Sequence, residues 1–99
     1  MTRDEIAQGL LPFSADLKRS GITALYMFGS RARGDQRLDS DLDLFVDYSP
    51  DQKVPSYFKL LEARLKFEEE LGIPVHLGTR FSLDPAIRSQ AELDAVRIF

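Results

Sequence analysis

Residues 39–47 read Asp-Ser-Asp-Leu-Asp-Leu-Phe-Val-Asp and alternate at every second position. Ser40, Leu42, Leu44 and Val46 fall on one side; Asp39, Asp41, Asp43, Phe45 and Asp47 fall on the other. A period of two belongs to a β-strand. The apolar side fixes the register, because a one-residue slip would carry the leucines into water and the carboxylates into the core. Few other stretches of the chain restrict its fold as tightly.

The strand carries a chemical demand as well. Asp41 and Asp43 share a face with backbones roughly 6.5–7 Å apart. Two like charges that close raise each other's pKa unless a cation sits between them. Mg²⁺ or Mn²⁺ suits such a pair, taking a few carboxylate oxygens together with phosphate oxygens. Just upstream stands Phe28-Gly29-Ser30-Arg31-Ala32-Arg33-Gly34. A glycine at a strand-to-helix turn lets backbone N–H groups approach a phosphate, and a first helical turn adds unpaired donors. The Ser30 hydroxyl, Arg31 and Arg33 could add contacts to the same anion; Arg33 could instead pair with a nearby aspartate and orient it. One segment is suited to phosphates and the next to their metal, which is what metal-assisted transfer of a phosphorus group requires.

The remaining pattern supplies a frame. Residues 3–19 carry Ile6, Leu10, Leu11 and Leu17 at helical spacing, with Pro12 set to kink or divide the helix. Ile22 to Phe28 reads as a buried strand between glycines. Residues 30–33 suit a short helical turn closed by Gly34. A helix is expected from Pro55 or Ser56 to Leu71, stopped by Gly72, with Phe58, Leu61 and Leu65 in the core. The run Glu68-Glu69-Glu70 reads as its solvated end. Tyr48 and Tyr57 read as packing residues and Asp39 as exposed. A third strand is expected over residues 73–77, a helix from Ser82 or Asp84 with Pro85, and a last strand or apolar tail over residues 93–99. Helix, strand, turn, strand, helix, strand, helix gives an α+β (mixed α/β) domain, a small mixed sheet flanked by helices.

The chain has 99 residues, so one domain over residues 1–99 is expected. It has no cysteine, hence no disulfide framework and no thiolate metal site. No apolar run approaches the roughly 20 residues that span a bilayer. The N-terminus lacks a secretory pattern, and a cytoplasmic location is the default. The net charge of −3 argues against a dedicated nucleic-acid surface.

The pattern Gly29-Ser30-Arg31-Ala32-Arg33-Gly34, followed by Ser40-Asp41-Leu42-Asp43-Leu44-Phe45-Val46, resembles the signature of minimal nucleotidyltransferase (MNT) domains of the DNA polymerase beta-like superfamily. The resemblance covers nearly the whole chain and implies the nucleotidyltransferase fold. It implies that Gly29 and Ser30 bind a nucleoside triphosphate, with Arg31 and Arg33 beside them, and that Asp41 and Asp43 hold Mg²⁺. It further implies transfer of AMP from ATP to a hydroxyl of a partner protein, as by the antitoxin of a HEPN-type toxin. An MNT-fold antitoxin that neutralises its partner by binding, with weak or no catalysis, is the alternative. One position departs from the pattern: His76, in Val75-His76-Leu77, stands where the family carries a third carboxylate. A histidine there could accept a proton near neutral pH. So small a chain cannot close both sides of a nucleotide site, so acceptor recognition is expected to come from another chain, a HEPN-type partner or a second copy.

Overall fold

The computed structural model describes residues 1–51 and 55–99. Helix α1 (Arg3–Leu10) is opened by a capping box, in which the Thr2 hydroxyl accepts from the Glu5 N–H while the Glu5 carboxylate accepts from the Thr2 N–H. Pro12 divides the expected helix. A 3₁₀ turn at Leu11–Phe13 separates α1 from α2 (Ser14–Arg19). Strand β1 (Ile22–Phe28) leads into the one-turn helix α3 (Ser30–Arg33), and β2 follows as Leu42–Tyr48. Helix α4 (Tyr57–Leu71) is capped by the Ser56 hydroxyl and ended by Gly72 at φ +71°. Strand β3 (Val75–Thr79), a 3₁₀ turn at Arg80–Ser82, helix α5 (Pro85–Asp94, capped by Asp84) and β4 (Val96–Arg97) complete the chain. Among the described residues no helix is long and apolar enough to cross a membrane.

The four strands form one mixed sheet in the order β3-β2-β1-β4. β2 runs antiparallel to β1 and parallel to β3, and β4 is antiparallel to β1. Ile6, Leu10, Leu17, Leu25, Met27, Leu42, Leu44, Val46 and Phe67 lie in one buried cluster. Phe67 meets Phe13 edge to face at 5.3 Å, a geometry that contributes about 0.5–1.5 kcal/mol beyond area burial.

Five expectations need correction. The aspartate strand starts at Leu42, not Asp39: Ser40 N–H bonds the Arg37 carbonyl and its hydroxyl accepts from Arg37 N–H, which holds residues 37–40 as a turn. β3 lies two residues later than expected, because Pro74 has no N–H for the ladder and instead offers its carbonyl to Leu42. Helix α4 is rotated relative to its expected core face. Phe58 and Leu65 are 79% and 52% exposed and Leu61 is half-buried, while Ala63 and Phe67 point inward with Leu60 and Leu71 packed beside them. The helix carries two apolar stripes, and the one holding Phe67 is the one that meets Phe13 and the buried cluster. Tyr57, expected to pack, is 73% exposed. Glu68, read as solvated, accepts from the Val75 N–H at 2.9 Å and pins the start of β3.

Candidate active site

The strand register assembles the site. Phe28, the last residue of β1, is opposite Asp43 on β2, and Asp43 is opposite His76 on β3. Neighbouring strands lie about 4.8 Å apart. The Gly29 turn therefore flanks Asp43 on one side and His76 flanks it on the other. Asp41 sits immediately before β2, held by Arg31, whose Nε and Nη2 donate to the Ser40 carbonyl at 3.0 and 2.8 Å.

Gly29 has φ +76° and ψ −157°, a combination that is essentially glycine's alone. Its second constraint is contact: a Cβ there would stand 2.6 Å from Asp43 Oδ2. No side chain caps the first turn of α3, so its leading N–H groups have no capping partner and stay available to an anion.

The three residues Asp41, Asp43 and His76 come together. His76 Nε2 lies 2.8 Å from Asp41 Oδ2. An ionised carboxylate only accepts, so in the neutral ring this contact puts the proton on Nε2 and leaves Nδ1 free, while in the charged ring both nitrogens carry protons. The Asp43 carboxyl is pushed above its ordinary pKa, chiefly by burial; the His76 and Arg33 charges oppose that shift and the Asp41 charge adds to it.

The arginines divide. Arg33 is ion-paired to Asp94 (2.7 Å) and Asp35 (3.1 Å), and those partners raise its pKa. With Gly29 and Phe28 it lines a cavity of about 360 Å³ against α5. Arg31 is buried and committed to the Ser40 carbonyl, and the cavity it borders is shared with Met1, Arg37 and Ile73 rather than with the aspartates. Arg80 was not singled out by the sequence. It grips Asp47 with two bonds of 2.8 Å, bonds Glu92 at 2.7 Å, and lies over the Phe45 ring at 4.8 Å. That lid explains why Phe45 is fully buried on the carboxylate face.

Among the described residues no three His, Asp or Glu side chains gather closely enough to hold a metal alone. The donor set still fits a hard divalent cation. Mg²⁺ is commonly bound through one or two carboxylates, with phosphate and water oxygens completing its shell. Asp41 keeps Oδ1 free beside its bond to His76, and the raised pKa of Asp43 marks a carboxylate that a cation would help to ionise.

The mixed sheet sets two carboxylates, Asp41 and Asp43, beside the Gly29-Ser30 turn at one end of its strands. The pattern described as "Nucleotidyltransferase domain" matches residues 13–98, and the chain belongs to that family. It is 34% identical over 88 residues to the protein adenylyltransferase MntA of Thermococcus cleftensis, covering 88% of this chain and 86% of that one. It is also 29% identical over 98 residues to a Methanocaldococcus jannaschii protein provisionally named a protein adenylyltransferase, covering 99% of each. Among solved structures it matches one provisionally named a minimal nucleotidyltransferase, with TM-score 0.76, 28% identity and coverage of 97% and 95%. The fold also matches a chain of a toxin–antitoxin crystal structure with AMP-PNP at TM-score 0.76 and 19% identity, covering 94% of this chain and 72% of that one.

Proposed function

We propose that this protein is an Mg²⁺-dependent nucleotidyltransferase, with Mn²⁺ as a substitute, that moves AMP from ATP to a hydroxyl of a partner protein. It acts in the cytoplasm, where both are supplied. The observation that carries this reading is the row Phe28, Asp43, His76 across three adjacent strands, with the Gly29 turn directly after Phe28 and Asp41 bonded to His76. The Gly29–Ser30 turn, with Arg33 beside it, takes the β- and γ-phosphates. Asp41 and Asp43 would hold the metal, which would supply neutralisation of phosphate charge. The acceptor oxygen bonds to the α-phosphorus, the α–β P–O bond breaks, and pyrophosphate leaves. The hydroxyl proton passes to His76 Nδ1, whose ring is oriented by Asp41. Arg31 positions Asp41 through the Ser40 carbonyl rather than touching nucleotide.

The MntA relative and the MntA–HepT complexes of the same fold support a HEPN-type toxin as the partner, with this chain as antitoxin. Homo-oligomers are a second way to complete the site. Incubation of the protein and its co-purified partner with [α-³²P]ATP and Mg²⁺ tests the reading. Label should move to the partner and be absent with Asp41→Asn/Asp43→Asn. A second reading is favoured by one observation: the third carboxylate is replaced by His76, which occupies one oxygen of Asp41. On that reading the chain neutralises its partner by binding, and the partner stays unlabelled yet inhibited.

A further inference from the structure

A cleft of about 300 Å³ opens on the His76 side of the site, its walls including Phe28, Leu60, Arg64, His76, Gly78 and Leu83. Most of its lining is apolar, and Arg64 is the exception that matters. The Arg64 Nε is buried without a hydrogen-bond partner, and among the described residues no carboxylate lies within ion-pair reach of its guanidinium. A buried donor on a cation that finds no partner among the described residues is an unmet demand for an anion. Tyr57 also lines the cleft and is 73% exposed.

The direction of attack assigns an occupant. Displacement at the α-phosphorus brings the incoming oxygen in from the side opposite to departing pyrophosphate. The phosphate turn at Gly29 lies on the β1 side of Asp43, so the acceptor enters from the β3 side, where this cleft is. We propose that the cleft seats the acceptor segment of the partner and that Arg64 binds a carboxylate flanking its hydroxyl-bearing residue. The acceptor is then an acidic peptide, not a basic one. This inference rests on the transfer reading for the direction of attack.

Three fluorescent tyrosine peptides, flanked by Glu, Gln or Lys, are titrated with the full chain in the presence of α,β-methylene-ATP, whose α–β link cannot be cleaved, and Mg²⁺, and followed by anisotropy; AMP transfer is read separately with ATP. The Glu peptide should bind roughly tenfold more tightly than the Gln peptide, the span of one charged hydrogen-bonded pair. Arg64→Gln should erase that gap, Arg64→Lys should keep part of it, and Arg64→Glu should turn the preference to the Lys peptide. ATP affinity should not change in Arg64→Gln. Equal or absent binding of the three peptides overturns the proposal, as does a preference that survives Arg64→Gln. A fall in ATP affinity with Arg64→Gln also overturns it, since the cleft would then hold nucleotide. An intact preference without AMP transfer to the peptide upholds the cleft and counts against the transfer reading instead.

Discussion

Asp43 is packed so tightly against Gly29 that a single added Cβ would stand 2.6 Å from its Oδ2. The Gly29 turn and the Asp43 carboxylate therefore share one volume. Gly29→Ala meets two penalties: the clash, and a backbone state that costs a side-chain-bearing residue about 1–3 kcal/mol. Urea denaturation should show a loss in that range, and ATP binding should fall with it because Asp43 must move.

Asp43 also sets stability against function. Its pKa is raised by burial, so ionisation is harder in the folded protein than in the unfolded chain. The sign follows: the neutral carboxyl favours the folded state below the unfolded pKa, and that advantage is lost as pH rises through the raised folded value. At neutral pH Asp43→Asn should raise the melting temperature of the metal-free protein by a few degrees while removing metal-dependent nucleotide binding. A melting temperature that falls would show that Asp43 is held by contacts other than those described.

Arg31 should behave as a support. Arg31→Ala removes two charge-assisted bonds to the Ser40 carbonyl, each in a class that contributes about 1.5–3 kcal/mol. Thermal and chemical denaturation should report a large loss. Arg33→Ala breaks an exposed pair with Asp35 and a pair with Asp94, whose side chain is only 8% exposed, and should cost less than Arg31→Ala. If both variants were equally stable, the division between the two arginines would be wrong.

His76 tests the chemistry. His76→Asp restores a third carboxylate facing Asp41 and Asp43 but removes the proton acceptor. With His76 as the base, AMP transfer drops by about 10²–10⁴-fold in His76→Ala, the usual contribution of general-base catalysis. Should the wild type be silent and His76→Asp transfer AMP, the binding-only reading would hold.

The sequence made the site more legible than the surroundings. Alternation at residues 42–47 and the Gly29-Ser30 turn are local signals, and the strands they specify carry Asp43 to its place. Strand pairing then brings in His76, whose residue spacing from Asp41 carries no sign of a 2.8 Å contact. The rotation of α4 was not legible because Phe58, Leu61 and Leu65 form a second apolar stripe at the same period as the buried one. Periodicity gives the presence of a helical face but cannot choose between two. Arg31, Arg64 and Arg80 look alike as isolated letters. Their roles as a loop support, an unpartnered cleft cation and a lid over Phe45 depend on residues 9 or more positions away.

Calorimetric titration of ATP into the purified protein tests the site most directly, run with Mg²⁺, with Mn²⁺ and with EDTA, and repeated on Asp41→Asn/Asp43→Asn. Saturable binding with either metal, lost in EDTA and in the double variant, is the expected result. Binding that persists unchanged in EDTA or in the double variant, or no binding with either metal, would contradict a metal-nucleotide site at Asp41 and Asp43.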